Sequence, residues 1–180
     1  MLGAPPAQGR DEVAPEFPPV LDLLAASGGV VGVLGAAGSA GGPFALAAAR
    51  LLFGAAFMGA LTDAMLLGHW YLVQPGMRRD PLRDLVRLVA LLWPLEVAAL
   101  LWPTGMVQVM TGTVDDGFRG VLAWAWVTCA LTTLGLTGAT WLALRERSYS
   151  AVMAATGLLY LAILTGLGCD LVARAALVPR

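Results

Sequence analysis

The sequence predicts an all-α integral membrane protein, a bundle of five transmembrane helices that follows a Pro-rich N-terminal tail. Three observations predict this fold class: 58% of the 180 residues are hydrophobic, only 13% are charged, and long apolar stretches recur along the chain. Soluble domains average about 45–50% apolar and about 25% charged residues. A compact soluble fold could not bury this much apolar surface, so we expect the chain to lie in a bilayer.

Residues 1–19 are predicted to form an extramembrane tail. They hold five of the eleven prolines, together with four charged residues, Arg10, Asp11, Glu12 and Glu16. A segment of this composition does not bury enough apolar surface to fold alone. The remaining residues, 20–180, are predicted to form a single five-helix transmembrane domain.

The first two predicted spans cover residues 20–42 and 43–73. The first is rich in glycine, which lets helix backbones approach closely in lipid but also lowers helix propensity. The second begins at Pro43, a residue suited to the first turn of a helix. It would be roughly 45 Å long, more than the ~30 Å hydrocarbon core, so we expect it to tilt or protrude.

The other three predicted spans cover residues 81–102, 120–144 and 151–177. The third follows Asp80, a residue type that caps helix N-termini, and contains Pro94, which should kink it. A polar loop over residues 104–119 precedes the fourth span, in which Thr133, Thr137 and Thr140 share one face.

The distribution of arginines predicts the orientation of the chain. Seven arginines fall on the side of the N-terminus in a five-span topology: Arg10, Arg78, Arg79, Arg83, Arg87, Arg145 and Arg147. Only four fall on the other side. Because cytoplasmic loops are enriched in basic residues, we expect a cytoplasmic N-terminus and an outside C-terminus. The expected location is a bacterial-type inner or plasma membrane, crossed several times.

Several function classes are excluded or disfavoured. The chain has no lysine and a net charge of −1, so nucleic acid is not an expected partner. It contains no HExxH, Walker A, GxSxG or dinucleotide-binding motif. We therefore assign no catalytic residue and do not expect an enzyme by itself. One histidine and two isolated cysteines give no metal site.

The residues that point to a function are ionisable groups inside the apolar spans, which are costly in a bilayer. Measured from the predicted cytoplasmic ends, His69, Asp63, Glu96 and Asp170 lie roughly 6, 15, 23 and 29 Å deep. Such a ladder of residues is a candidate proton relay or polar pocket. However, Asp63 and His69 are six residues apart and point about 120° away from each other, which weakens the relay hypothesis.

Other residues near these groups have their own interpretations. Asp170 and Arg174 are four residues apart on one helix, so they are predicted to form a structural ion pair. Trp70 and Tyr71 lie near a predicted membrane interface and are candidates for contact with a quinone or a lipid. No cofactor is assigned to this chain alone.

The sequence predicts two alternative functions, which belong to different classes. The first is a small non-catalytic integral membrane subunit of a larger membrane complex. A respiratory or electron-transfer complex is the favoured class, in which the chain contributes to proton handling or a quinone pocket. Its expected partners are the lipid bilayer and other membrane subunits. The alternative is a self-contained proton- or ion-coupled transporter or channel acting as a homo-oligomer. The absence of an internal repeat argues mildly against a transporter.

Overall fold

A computed structural model of the chain describes residues 18–74, 78–102 and 105–177, and within these ranges it contains helices and loops but no strand. Its helices are α1 (Pro19–Ser39), α2 (Phe44–Val73), α3 (Asp80–Leu101), α4 (Met106–Met110), α5 (Val121–Ala143) and α6 (Tyr149–Leu177). Five of them lie close to the predicted spans. The predicted tail falls almost wholly outside the described ranges, but its last residue, Pro19, is the first residue of α1.

Four of the described helices, α1, α2, α5 and α6, are long and apolar enough to cross a membrane. The structure therefore supports a multi-pass membrane protein, but the predicted count of five spans is not confirmed. The third predicted span, α3, is the one outside this group: it has 22 residues, but its first two turns are charged because they contain Asp80, Arg83, Asp84 and Arg87. The short helix α4 was not predicted and lies within the segment expected to be a polar loop.

The core is formed by α2, α3, α5 and α6. One buried cluster joins α2 and α6 to the first half of α3, with Leu61, Val89 and Leu159 fully buried within it. A second cluster joins the other half of α3 to α4, α5 and α6. In that cluster Met106 of α4 is fully buried, so α4 covers one end of the bundle.

Arginines tie the start of α3 to the end of α5. An Nη atom of Arg79 donates to the carbonyl of Glu146 at 2.9 Å, and one of Arg83 donates to the carbonyl of Leu144 at 2.6 Å. The last carbonyls of a helix have no partner within the helix, so such donors stabilise its end. The guanidinium of Arg87 lies 4.9 Å from the centre of the Trp141 ring, in a cation–π contact. These contacts fix one end of the bundle.

The first helix lies at the edge of the bundle. Of its residues only Ala37 is buried, and its extensive contact is with α2. A Cβ atom added to Gly28, Gly32 or Gly35 would meet no atom within 4 Å. At about 100° per residue, these glycines lie on the side opposite Ala37. The glycine face of α1 therefore contacts no described helix.

Candidate functional site

Two carboxyl groups predicted as relay candidates come together inside the bundle. Glu96 of α3 and Asp170 of α6 both lie over Gly54 of α2, which has no side chain to separate them. A Cβ atom placed on Gly54 would be 3.4 Å from Glu96 Oε1 and 3.6 Å from Asp170 Oδ1. Three helices thus converge where the chain places its two deepest predicted acids.

These carboxyl groups are buried and incompletely bonded. Glu96 is only 4% exposed. Both of its carboxyl oxygens, and Oδ1 of Asp170, have no hydrogen-bond partner among the described residues. The two side chains line a cavity of ≈ 10 Å³, together with the side chains of Phe57, Trp93 and Thr133. That space is close to the minimum that a single water molecule requires.

Two arginines lie at the same end of the bundle. Nε of Arg174 donates to Oδ2 of Asp170 at 2.7 Å, the contact that their four-residue spacing predicts. Nε of Arg50, in α2, donates to the backbone carbonyl of Ala99 at 2.9 Å. The side chains of Asp170 and Arg174 are 18% and 45% exposed. The polar side chains of Arg174 and Asp170 therefore lie between the surface of the bundle and the buried Glu96.

Asp63 is in a different environment. It lies on the exposed side of α2, together with Ala55, Gly59, Leu66 and Trp70, all of which recur at helical spacing. We call these five residues the outward face of α2. Within the described part of the chain, the carboxyl group of Asp63 makes no hydrogen bond or ion pair. The structure does not bring it to Glu96 or Asp170.

His69 and Tyr71 occupy other sides of the same helix. His69 is exposed, and its Nδ1 lies 3.5 Å from the hydroxyl of Tyr160, with the two rings edge to face. Tyr71 is 4% exposed, and its hydroxyl donates to the carbonyl of Arg78. Trp70 is 52% exposed on the outward face. Trp70 and Tyr71, the quinone- or lipid-interface candidates, thus point in different directions.

The predicted ladder is divided in the structure. Glu96 and Asp170 line one cavity, while Asp63 and His69 lie on other surfaces. Along α2, the buried residues between the level of Glu96 and that of His69 are Phe57, Ala60, Leu61, Ala64 and Gly68, none of which has a polar side chain. The buried side of α2 therefore forms no polar path from His69 to Glu96.

Two residues at this site were not predicted as part of it. Gly54 provides the space that the two acids share, and Trp93 donates from Nε1 to the carbonyl of Ala130 at 3.1 Å beside the cavity. The only sequence feature that could have indicated Gly54 is its position, four residues after Arg50 in the same apolar span. Trp93 precedes Pro94 in an apolar stretch, where a tryptophan is most often a packing residue, so no local pattern distinguished it.

Asp116 is a buried acid with a structural role outside the apolar spans. Its Oδ1 accepts from the backbone N–H groups of Gly120 at 2.9 Å and Phe118 at 2.8 Å, and its Oδ2 accepts from Leu122 at 3.0 Å. These bonds lower the pKa of Asp116 below its ordinary value, and the bond from Gly120 has the largest effect on that pKa. The side chain fixes the turn that enters α5, where Gly120 has a φ of 82°.

Among the described residues, no three His, Cys, Asp or Glu side chains come together in a way that could hold a metal ion. Comparison with known protein families, with curated protein sequences and with solved structures finds no match for this chain. The geometry of its own residues therefore carries the functional argument.

Proposed function

We propose that the chain is a small non-catalytic integral membrane subunit of a larger membrane complex, and that the outward face of α2 contacts a helix of a neighbouring subunit. The observation that carries this proposal is the position of Asp63. Ionisable side chains in transmembrane helices almost always face protein or a water-filled cavity, because a charge in contact with lipid is costly. Asp63 is exposed in an isolated chain, so another chain would supply the missing contact.

The composition of the outward face indicates what kind of partner it accepts. Gly59 and Ala55 have little or no side chain, so a partner helix could approach the backbone of α2 closely. Asp63 needs a donor in that helix. We therefore propose a transmembrane helix that carries a basic or hydrogen-bonding side chain at the depth of Asp63. Trp70 lies near the end of the same face, where an aromatic ring suits the membrane interface.

The proposed topology has five spans, which are α3 and the four helices that are long and apolar enough to cross a membrane. Helix α3 has 22 residues that extend about 33 Å, of which the part that follows the two charged turns extends about 21 Å and would cross most of a ~30 Å hydrocarbon core. It packs against α2 and α5, which are both apolar enough to cross a membrane. The charges in its first two turns suit a cytoplasmic interface. Together with the arginine distribution, these features support the proposal that the N-terminus lies in the cytoplasm and the C-terminus outside a bacterial-type inner or plasma membrane.

A photo-crosslinking experiment tests the proposed contact. The photoreactive group is placed at Leu66, which is 56% exposed and one turn from Asp63, or at Leu61, which is fully buried, as the matched control. In native membranes, we expect Leu66 to give one discrete adduct with another membrane protein, and Leu61 to give none. The adduct should disappear in Asp63→Ala while the chain stays folded.

Three outcomes would count against this proposal. Adducts with lipid alone would mean that no protein covers the outward face. A protein adduct that persists in Asp63→Ala would remove the role of Asp63. An adduct with a second copy of this chain would favour a homo-oligomer.

We propose an electron-transfer complex as the class of assembly, following the sequence-based expectation, with a quinone or lipid as the ligand near Trp70. Purification in mild detergent, followed by an optical redox spectrum of the stoichiometric complex, tests this class. Haem or iron–sulfur absorption from the partners would support it. A colourless complex would overturn the electron-transfer class while leaving the subunit proposal intact.

The alternative function is a proton- or ion-coupled transporter or channel. It is favoured by one observation, the burial of Glu96 with both carboxyl oxygens unbonded. The test is proton flux in liposomes that contain only this chain. A transporter should lose flux in Glu96→Gln but not in Glu146→Gln, which changes an exposed acid outside the helices. Absence of wild-type flux would remove the alternative.

A further inference from the structure

We propose that Glu96 and Asp170, bridged by a water molecule, form a proton-binding site that exchanges protons with one side of the membrane only, through the end of α6 that carries Arg174. The site lies inside the bundle. It does not depend on whether the outward face of α2 binds a partner, so either proposal can fail alone.

The cavity is lined by more hydrogen-bond acceptors than donors. Three carboxyl oxygens face it without a partner, two from Glu96 and one from Asp170. Buried polar atoms nearly always have partners in folded proteins, so donors are missing here. One water molecule supplies two donors, and a proton on Glu96 supplies the third. The cavity, at ≈ 10 Å³, lies at the lower limit of the volume that one water requires.

The neighbouring side chains do not supply these donors. The hydroxyl of Thr133 lies 2.7 Å from the Thr165 hydroxyl and 2.8 Å from the carbonyl of Cys129, to which it donates. The indole N–H of Trp93 is bonded to the carbonyl of Ala130. The hydroxyl and the indole N–H that line the cavity are therefore engaged elsewhere. The thiol of Cys169, which also lines the cavity, is only a weak donor, so a mobile proton is the stronger remaining one.

The charged and titratable groups around Glu96 are few. From α6 they are Asp170, Arg174 and the thiol of Cys169, from α2 Arg50, and from α5 the thiol of Cys129. Arg174 is a positioning residue: by bonding Oδ2 of Asp170 at 2.7 Å, it leaves Oδ1 directed to the cavity. With two acids and two arginines, the cluster can take up one proton without accumulating a large net charge.

The direction of proton exchange follows from burial. Exposure rises from 4% at Glu96 to 18% for the Asp170 side chain and 45% for that of Arg174. In the opposite direction the core is formed by apolar side chains such as Leu61 and Leu159 and by buried threonines. The hydroxyls of these threonines, Thr137, Thr140 and Thr156, each donate to a carbonyl of their own helix, so they offer no free donor toward Glu96. A proton from bulk water would pass Asp170 and the bridging water to Glu96 and would leave by the same route. Only bonds between oxygen and the transferred protons are formed and broken on this route.

Infrared difference spectroscopy of the full chain in liposomes tests the site. Lowering the pH should produce the carbonyl band of a buried protonated acid, and this band should be lost in Glu96→Gln. The matched control Glu146→Gln, which changes an exposed acid outside the helices, should keep it. If Glu96→Gln does not fold, Glu96→Asp should shift the band. A band that neither substitution at Glu96 changes would overturn the proposal.

The one-sided exchange needs a second measurement on oriented liposomes. A pH jump on the side of the α6 C-terminus should change the band at once. The same jump on the other side should change it only after an ionophore equilibrates the two compartments. An equal response from both sides would contradict one-sided exchange. In Asp170→Asn the response to the near-side jump should be slower, whereas an unchanged rate would remove Asp170 from the route.

Discussion

The two faces of α2 are both apolar, but they have different surroundings. One face carries Gly54, Leu61 and Gly68 and packs against α3 and α6. The outward face carries Gly59, Asp63 and Leu66, which are exposed. In a soluble protein the exposed face would be polar, and the sequence would reveal it. In a membrane, lipid and protein core are equally apolar, so hydrophobicity alone does not tell the two faces apart.

The same contrast separates the two acids. Glu96 and Asp63 both lie in long helices, yet Glu96 is buried where three helices meet, whereas Asp63 is exposed. The difference indicates two roles, one inside the chain and one between chains. We therefore expect substitutions on the two faces of α2 to change the free energy of unfolding of the isolated chain by different amounts.

The largest expected difference is between Leu61→Ala and Leu66→Ala. Leu61 is fully buried and Leu66 is 56% exposed. Removing a buried leucine side chain leaves a cavity and costs about 2–5 kcal/mol. Leu66→Ala should change the free energy of unfolding by less than about 1 kcal/mol, since most of its surroundings are lipid. Denaturant titration in mixed micelles measures both values. Similar losses for both variants would mean that the faces are assigned wrongly.

Glycines on the same helix give a second matched pair. A Cβ atom on Gly68 would lie 2.8 Å from Oγ1 of Thr156, whereas one on Gly59 would meet nothing within 4 Å. Gly68→Ala should therefore lower the free energy of unfolding by about 1–3 kcal/mol. Gly59→Ala should be neutral or raise it by up to about 1 kcal/mol, because alanine favours helix. The same unfolding titration applies, and a destabilised Gly59→Ala in the isolated chain would contradict the exposed position of Gly59.

Asp116 is a third acid to compare with Glu96 and Asp63. It lies on neither face of α2 and is bonded by backbone N–H groups. Its pKa is lowered in the folded chain, so its ionised form stabilises the fold. That contribution is fully present above the ordinary value of 3.8 and is lost as the pH falls through the lower folded pKa. Asp116→Asn should lower the melting temperature at neutral pH, and the difference from wild type should shrink at acid pH.

The control for Asp116 is Asp115→Asn. Asp115 is exposed and accepts one backbone hydrogen bond, from Gly117 at 2.9 Å. We expect a smaller change in melting temperature for this variant. A difference between wild type and Asp116→Asn that stays constant down to the lowest pH would argue against the backbone bonds as the cause.

The smallest effect is expected at the contact between His69 and Tyr160. Both side chains are exposed, and the 3.5 Å separation of Nδ1 and the hydroxyl is at the limit of a hydrogen bond. Tyr160→Phe should change the free energy of unfolding by less than about 0.5 kcal/mol. A loss of several times this size would show that the contact is tighter than the structure indicates.

Much of the architecture could be predicted from the sequence, because helix ends have local signals. Pro43, Asp80 and Gly120 mark starts that the structure places within one residue. The short α4 has no such signal, since five residues are too few for an apolar period. The depths of Glu96 and Asp170 follow from helix rise, but their meeting over Gly54 depends on how three helices pack. The divergence of Asp63 and His69 could be read from the 3.6-residue period alone.

The proposed function requires that a partner cover the outward face of α2 in the native membrane. Its most direct test compares how far a lipid-soluble, carbene-generating reagent labels Leu66 in two settings, native membranes and liposomes that contain only this chain, with Leu61 as the buried control. A carbene inserts into C–H bonds and needs no ionised thiol, and mass spectrometry locates the label. We expect labelling at position 66 in liposomes, strong protection in native membranes, and little labelling at position 61 in either. Equal labelling at position 66 in both settings would contradict the proposed function.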